Sequence, residues 1–503
     1  MRILDDISRT FSEFLILPQL TQKAHTIDKV SLKTPLGKFS RGQASSLYLN
    51  VPIVSSAMQA VSCSNLAIAL ALHGGLASIH CSQLPDEQVA MIQNVKKFKA
   101  GFVKSKANVS PEGNLAQIRA LVRTTGHTTI AVTEDGSATG NFLGLVFAKD
   151  IWPGESNDKS VADLMVSKNQ MQSASVGISL DKAIALLRGC NQRCIPILTE
   201  NNGLDSLVFR RDAFSLNEFP LQLLDTNSSL MVSAAINTHD YQLRVPQLIE
   251  AKADCLFFDS SDGYSEYQKA GFDWIRAHYG NAIVVGGGNV VNAEGFRYLV
   301  KECGADFVKV GIGGGSICVT REQKGIGRGQ ASALMDVVQA RNQYYEETGM
   351  YVPVCSDGGL ANDTQIIIAL ALGADFVMMG RYFAALEESA STKVNVRGKT
   401  YKAYWGEGSH RAKNWQRYSD KGAGSSSMLQ FEEGVDAFVP YTGTVAETLP
   451  ITLSKLKSTM INCGSLTLQE FTDKAVLTMV SPQTFVEGGT SDVLLKEQLL
   501  SQV

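Results

Sequence analysis

Short apolar runs recur along the chain, and most of them end in Ser, Asp, Asn or Gly ahead of a stretch with helical character. This alternation is typical of units in which a buried β-strand leads into a loop and a returning α-helix. Eight such runs are present, at 51–56, 75–80, 231–237, 255–261, 282–289, 306–315, 352–359 and 375–381. Most neighbouring runs start roughly 23–28 residues apart, as one strand, one helix and two short loops require. The pattern therefore predicts an α/β fold, a (β/α)8 TIM barrel.

The spacing of the eight runs is interrupted twice. The third run begins at residue 231 although the second begins at residue 75, which leaves room for an inserted domain. A longer gap between the sixth and seventh runs suggests a functional loop. We therefore expect a barrel in two parts, 1–100 and 223–503, with an inserted domain at 101–222.

The predicted insertion contains an internal repeat. Residues 128–150 and 193–212 both read as a strand, an acidic turn, a second strand and then a basic residue followed by Asp. Each copy follows a helical stretch, at 115–123 and at 180–188. Two copies of about 60 residues are typical of paired small α/β modules.

A long segment follows the eighth run. Residues 388–440 are rich in Gly, Ser, Lys and Arg and include 421–427, whose sequence KGAGSSS has no apolar face to bury. Long irregular segments on top of a barrel are usually functional or partly disordered. We interpret 388–440 as a mobile flap.

Composition and charge exclude several classes of protein. The 503 residues carry 46 Lys and Arg against 49 Asp and Glu, a formal net charge of −3, without a long basic run. Such a chain has no electrostatic footprint for nucleic acid, and its longest apolar stretches, such as 366–372, fall far short of the roughly 20 residues that span a bilayer. The first ten residues have acids where a signal peptide needs bases. We expect a cytoplasmic protein with reduced thiols and without nucleic-acid or membrane partners.

The nine cysteines point to one candidate nucleophile. They form no paired C-x-x-C units that would hold zinc, and most lie in apolar contexts typical of small buried side chains. Cys318 differs because it follows three consecutive glycines, 313–315, beyond the sixth strand. Consecutive glycines expose backbone amides and carbonyls, so a thiol beyond them is presented to a ligand. The glycines are also compatible with a structural turn, and no histidine is near enough in sequence to indicate a papain-like dyad.

Other polar residues stand at the ends of predicted strands, where this fold places its active sites. Gly358 and Gly359 after the seventh strand and Gly380-Arg381 after the eighth form a candidate phosphate cradle, with Asp357 as an acceptor for ribose hydroxyls. The acidic segment 259–262 after the fourth strand is a second acceptor set. Two ribose-like sites suggest a nucleotide and a dinucleotide.

Several segments resemble the inosine-5′-monophosphate dehydrogenase family. They are VPIVSSAMQAVS (51–62), DSSDGYSE (259–266), GIGGGSICVTREQKGIGRGQA (311–331), VCSDGG (354–359), YWGEGS (404–409), NWQRY (414–418), EEGVDAFVPY (432–441) and VEGG (486–489). The resemblance covers nearly the whole chain, and the inserted repeat resembles the paired cystathionine-β-synthase-type modules of this family. It implies NAD-dependent oxidation of inosine monophosphate to xanthosine monophosphate, in guanine nucleotide biosynthesis.

The resemblance also implies roles for individual residues. Cys318 would attack C2 of the hypoxanthine and, after hydride transfer to NAD, hold a covalent thioimidate that water hydrolyses. Thr320 would handle the hydrolytic water, and Arg417 and Tyr418 would arrive on the flap, with Arg417 as the base. A guanidinium is normally always protonated, so that role requires strong desolvation.

Binding residues follow from the same resemblance. The phosphate and ribose of the substrate would be held by Ser316, Asp357, Gly359, Gly380, Arg381 and Tyr404, and its base by Gly406, Glu407, Gly408 and Glu433. NAD would lie at Asp259, Ser260, Ser261, Asn289, Gly311 and Gly313. A potassium ion would be bound by carbonyls of Gly313, Gly315 and Cys318 together with Glu487, Gly488 and Gly489 of a neighbouring subunit, which implies a homotetramer.

The sequence departs from the family pattern at a few positions. Phe147 and Phe209 stand where nucleotide-binding modules usually have Thr or Ser, so regulation by adenine nucleotides is not expected. Arg381 stands where many relatives have Ser and adds positive charge at the phosphate.

Two rival interpretations remain. Guanosine monophosphate reductase needs no hydrolytic base, so Arg417-Tyr418 argues against it, and the intact Cys318 loop argues against a non-catalytic nucleotide sensor.

Overall fold

The computed structural model describes residues 1, 3–98, 101–138, 140–210, 219–227, 229–412 and 431–488. The chain divides into two compact units, one formed by 1–97 with 221–503 and the other by 98–220. The first unit is therefore interrupted in sequence by the second.

Eight parallel β-strands form the centre of the first unit. They are β1 (Ile53–Ser55), β2 (Ser78–Ile79), β3 (Ser233–Ile236), β4 (Cys255–Phe258), β5 (Val284–Val290), β6 (Phe307–Val310), β7 (Val354–Asp357) and β8 (Phe376–Met379). Neighbouring strands follow the order β1-β8-β7-β6-β5-β4-β3-β2, and a parallel bridge between Val54 and Leu76 joins the two ends. Each strand coincides with one predicted run, so the predicted barrel is confirmed.

The barrel interior is packed with side chains. The ring of Phe307 lies between those of Phe257 and Phe376, with centroids 6.5 and 5.6 Å apart. Cys255 and Cys355 belong to the same core, where burial raises the pKa of each thiol well above its usual value. These thiols stay protonated and inert, as expected of packing cysteines. Because the interior is filled, a ligand site has to form at an end of the barrel.

Helices connect the barrel strands and extend the unit beyond them. The α-helices of the first unit are Ser64–Leu72, Pro85–Lys97, Tyr241–Glu250, Glu266–Tyr279, Ala293–Arg297, Thr320–Lys324, Gln330–Thr348, Asp363–Ala371, Arg381–Ala384, His410–Ala412, Val445–Asn462, Leu468–Lys474 and Pro482–Glu487. A π-helical turn spans Tyr298–Glu302, and 3-10 turns span Phe11–Glu13 and Ile27–Lys29. Among the described residues, no helix combines the length and the apolar character needed to cross a membrane.

Short antiparallel sheets lie outside the barrel. They pair Phe14–Leu17 with Val476–Met479, Thr34–Pro35 with Tyr48–Leu49, and Phe39–Ser40 with Met350–Tyr351. The described part of the predicted flap is more regular than expected, since Lys393–Val396, Lys399–Trp405 and Asp436–Pro440 form a three-stranded sheet. Arg397 and Gly398 have φ of 51° and 78°, and two such residues make the tight hairpin turn that begins this sheet. Residues 421–427 lie outside the described part of the chain.

The second unit consists of two similar halves. Its main elements are helix Leu115–Thr125 with strands Thr129–Thr133 and Phe142–Phe147, then helix Leu180–Gly189 with strands Cys194–Leu198 and Leu204–Phe209. Shorter elements are Asn108–Val109, Ala148–Asp150, Val161–Leu164, Val166–Ser167, Lys168–Gln170 and Ala174–Ser175. Asn114 and Ser179 cap the two long helices by accepting a backbone N–H. An apolar cluster that includes Leu145 and Leu207 joins the halves, and each half contains one copy of the predicted repeat.

Candidate active site

Two neighbouring cavities lie at the carboxyl ends of the barrel strands. The first, of about 290 Å³, is lined by residues that include Asp259, Ser260, Ser261, Asn289, Gly311, Gly313, Gly315, Cys318, Thr320, Asp357, Gly380, Tyr404, Gly406, Glu407, Gly408 and Glu433. The second, of about 300 Å³, is lined by residues that include Ser316, Gly359, Gly380, Arg381 and Tyr404. The fold thus brings these separate sequence segments to one end of the barrel.

The Cys318 loop leaves β6 through glycines that the geometry requires. Gly311 has a φ of 137°, and a Cβ there would lie 2.2 Å from the backbone oxygen of Asp357. Further along, the N–H of Cys318 donates to the carbonyl of Gly315 at 3.1 Å, which closes a tight turn. Cys318 is a free and partly exposed thiol on the cavity wall. The thiol is accessible, unlike the core cysteines.

A chain of polar contacts leads away from the thiol. Sγ of Cys318 lies 3.1 Å from Oγ1 of Thr320, and Thr320 donates to Oε2 of Glu433 at 3.2 Å. The other carboxylate oxygen of Glu433 lies 2.7 Å from Nζ of Lys324. Thr320 is buried, so its hydroxyl is held between the sulfur and the carboxylate. The arrangement provides a route for a proton beside the thiol.

Backbone contacts hold the part of the cavity wall beside the thiol. Cys318 and Gly434 form an antiparallel bridge, and the N–H of Val435 donates to the carbonyl of Ile317 at 3.0 Å. A Cβ on Gly406 would lie 3.0 Å from Cα of Gly434. Two segments far apart in sequence therefore approach each other closely because both carry glycine there.

Glu407 supports this wall from behind. Its Oε1 accepts from the backbone N–H of Gln59 at 2.7 Å, and its Oε2 accepts from the Ser82 hydroxyl. Both donors belong to the loops that follow β1 and β2. The carboxylate thus ties the segment after Trp405 to the start of the barrel.

The second cavity has the donors expected around a phosphate. Arg381 is exposed at the end of β8, and burial, the largest cause, raises the pKa of Tyr404. The tyrosine hydroxyl therefore stays protonated and can donate to an anion. A Cβ on Gly380 would lie 2.6 Å from that hydroxyl, so only glycine leaves it room. Thr10 and Ser12 of the amino-terminal segment line the same cavity.

An acid-rich cluster forms the floor of the first cavity. Asp259 and Asp357 flank the ammonium of Lys309, at 3.7 and 3.2 Å. Nδ2 of Asn289 donates to Oδ2 of Asp357 at 3.0 Å and to the carbonyl of Gly311 at 2.7 Å. Oδ1 of Asn289 is buried without a partner among the described residues. An acceptor of this kind suits a hydroxyl or amide of a bound ligand.

Comparison with known proteins decides the family. A profile of the IMP dehydrogenase / GMP reductase domain matches residues 8–491. The chain belongs to the IMP dehydrogenase / GMP reductase family. It is 48% identical over 492 residues to an inosine-5′-monophosphate dehydrogenase of Tritrichomonas foetus, which covers 97% of both chains. It is 31% identical to the enzyme of that name from Schizosaccharomyces pombe, over 93% of this chain and 88% of that one.

A solved structure of the same family supports the fold of the whole chain. It is a variant of GMP reductase from Trypanosoma brucei in complex with guanosine 5′-monophosphate. The TM-score is 0.81 at 26% identity, and the match covers 97% of this chain and 98% of that one.

Five residues assigned from the family resemblance are not among the described residues that line the cavities. Arg417, Tyr418 and Gly489 fall outside the described residues. Glu487 ends the helix Pro482–Glu487 and Gly488 follows it, and neither lines the two cavities of this chain.

Two residues of this site, Lys309 and Gln330, were not predicted from the sequence. Lys309 lies inside a strand predicted as apolar, and its charge was the only signal. Gln330 is buried, donates from Nε2 to the carbonyl of Val310 at 2.7 Å, and lines the second cavity. Its Oε1 has no partner among the described residues. Its place in the segment 311–331 indicated proximity but no role.

Proposed function

We propose that the protein oxidises inosine 5′-monophosphate to xanthosine 5′-monophosphate, with NAD as the hydride acceptor, as a step of guanine nucleotide biosynthesis. The observation that carries the proposal is the partly exposed Cys318 thiol on the wall of the cavity with two ribose-type carboxylates, next to a cavity with phosphate donors. Membership of an oxidoreductase family and relatives named for this activity support it.

The residues of the chain account for the covalent chemistry. The Cys318 thiolate forms a bond to C2 of the purine, C2 loses a hydride, and a thioimidate remains. Water then attacks C2, and the bond between C2 and sulfur breaks to release the product and the thiol. The Thr320 hydroxyl, which lies beside the thiol and donates to Glu433, positions this water, and its proton passes to the base. Arg417 and Tyr418 complete the hydrolytic site from the flap, with Arg417 as the base.

The two cavities divide the ligands between them. Ser316, Gly359, Gly380, Arg381 and Tyr404 hold the substrate phosphate, while Asp357 accepts from its ribose. The purine lies against Gly406, Gly408 and Glu433, with Glu407 supporting that wall. The buried acceptor of Asn289 fits a polar dinucleotide next to Asp259, Ser260, Ser261, Gly311 and Gly313. NAD supplies the oxidant in this arrangement.

A potassium ion fits the cysteine loop. The loop turns on consecutive glycines, with Gly313 at a φ of 74°, and backbone carbonyls are the ligands that this cation prefers. The donors would be the carbonyls of Gly313, Gly315 and Cys318, with Glu487, Gly488 and Gly489 from a neighbouring subunit. This sharing is the reason that we propose a homotetramer. The ion stabilises the loop that carries the thiol.

The remaining proposals concern organisation. We infer a catalytic barrel from 1–100 and 223–503, with a flap at 388–440, in a cytoplasmic enzyme. Residues 101–222 form paired cystathionine-β-synthase-type modules. In the cleft of that unit, the guanidinium of Arg193 lies 5.3 Å from the ring of Phe147 and its NH2 lies 2.8 Å from Oδ1 of Asp150.

A stopped-flow experiment tests the proposal. Inosine monophosphate and NAD should give a burst of NADH followed by steady turnover. Arg417→Ala should keep the burst and stall hydrolysis, because only the second half of the reaction needs the flap. Oxidation of NADPH by guanosine monophosphate instead would assign the reductase activity. Nucleotide binding without turnover would assign a sensor.

A further inference from the structure

Lys309 is a buried ammonium in the active-site floor. Its side chain is 2% exposed, and it lies on β6, where every other residue of the strand is apolar. Its Nζ is 3.2 Å from Oδ2 of Asp357 and 3.7 Å from Oδ1 of Asp259. The ring of Phe257 lies 4.6 Å from the same nitrogen. A lysine is almost never fully buried unless it is paired.

The two carboxylates come from different parts of the barrel. Asp357 ends β7, beside β6, whereas Asp259 follows β4, two strands away on the other side. Between them, Asn289 at the end of β5 bonds only to Asp357 of the pair. Two carboxylates on one cavity floor repel each other. Lys309 is the cation that both contact.

The ammonium keeps its charge in this place. Burial opposes the charged form, but Asp357 and Asp259 outweigh it and raise the pKa of Lys309. The side chain is therefore a fixed positive charge across the neutral range. Because the ammonium does not lose its proton in that range, it can hold the carboxylates of Asp357 and Asp259 throughout it.

We propose that Lys309 is a positioning residue that holds Asp357 and Asp259 in place and thereby couples the nucleotide site to the dinucleotide site. The inference rests on the proposed function, in which Asp357 accepts from the substrate ribose and Asp259 from a ribose of NAD. Each carboxylate needs its orientation fixed before the ligand arrives, because a misplaced acceptor loses binding energy for its hydroxyl. One cation that contacts both residues fixes the orientation of a carboxylate in each of the two sites.

The first test compares Lys309→Met, which keeps the length without the charge, with Lys309→Arg. The Met variant should raise the KM of inosine monophosphate and of NAD together, each about tenfold or more, since it leaves two partly buried carboxylates without their cation. The change in kcat should be smaller, and the Arg variant should recover most of the loss. Unchanged KM values for both ligands in a folded Met variant would overturn the proposal.

Arg341→Met is the matched control. Arg341 lies 2.9 Å from Asp375 in a buried ion pair, and Asp375 precedes β8, at the end of the barrel away from the cavities. This variant should lower the melting temperature and leave both KM values as they are. If it raises both KM values as much as Lys309→Met does, the effect is general destabilisation and the proposal is wrong.

A double-mutant cycle separates positioning from direct contact. Binding of inosine monophosphate alone is measured by titration calorimetry for Asp357→Asn, with and without Lys309→Met. If Lys309 acts through Asp357, its loss should weaken binding less than about twofold further in the Asp357→Asn background. Fully additive losses would show a direct contact and overturn the inference. Turnover of the unmodified enzyme distinguishes the failure of the proposed function from the failure of the role of Lys309. An enzyme without turnover would overturn both proposals. Additive losses in an active enzyme would overturn only the role of Lys309.

Discussion

Replacing Tyr404 with Phe tests the phosphate site by removing a single hydroxyl. Tyr404 is 3% exposed, and its hydroxyl lies against Gly380 between the two cavities. Burial raises its pKa, so the hydroxyl remains a neutral donor at and above neutral pH. A hydrogen bond to a charged group contributes about 1.5–3 kcal/mol, which corresponds to roughly 10–150-fold in Kd. We expect Tyr404→Phe to weaken binding of inosine monophosphate within that range and to change kcat little, because the phosphate does not react.

The measurement is calorimetric titration of the folded variant with inosine monophosphate, followed by steady-state kinetics. Tyr382→Phe is the matched control, since that hydroxyl lies 2.9 Å from Oγ1 of Thr452 and outside both cavities. It should leave Kd unchanged. A Tyr404→Phe variant that binds within twofold of the original protein would refute the assignment of Tyr404 to the phosphate. A loss of kcat at unchanged Kd would refute it as well.

Three further outcomes follow from the site and the fold. Cys318→Ala should abolish both the NADH burst and steady turnover, and any burst in stopped-flow absorbance would contradict the covalent step. Thr320→Val removes the hydroxyl between the sulfur and Glu433; it should keep the burst and slow steady turnover about tenfold or more. Replacing the compact unit 98–220 with a short linker should leave kcat within about threefold, because all eight barrel strands lie outside it. An inactive protein that still melts cooperatively would contradict that independence.

The strand pattern determined the barrel because its signal is local. A strand buried on both faces reads as a short continuous apolar run, and a loop residue ends it. The roles of the glycines near Cys318 and of Gly380 could also be predicted, because their signal is local in sequence. Each marks a backbone conformation or a close approach that other residues do not tolerate.

The described part of the predicted flap contains a turn that the sequence interpretation did not predict. Arg397-Gly398 separates two runs of alternating residues, and both adopt positive φ. A glycine between two such runs suits the second position of a hairpin turn, but Arg397 is not one of the residues typical of the first position, and the abundance of Gly, Ser and charged residues favoured an irregular segment. The composition of a segment is an average over many residues, whereas a two-residue turn depends on which residue stands at each of its two positions.

The sequence by itself determined that this is a (β/α)8 barrel with an interrupted chain and one cysteine in a glycine-rich loop. Only the tertiary structure decided which charges meet. Lys309, Asp259 and Asp357 stand on three different strands or strand ends, and Glu433 reaches Thr320 from a segment 113 residues away. Periodicity records which side of a strand is buried, but it carries no information on which distant side chain is buried opposite. Barrel closure supplies that information, because it brings the carboxyl ends of all eight strands to one rim.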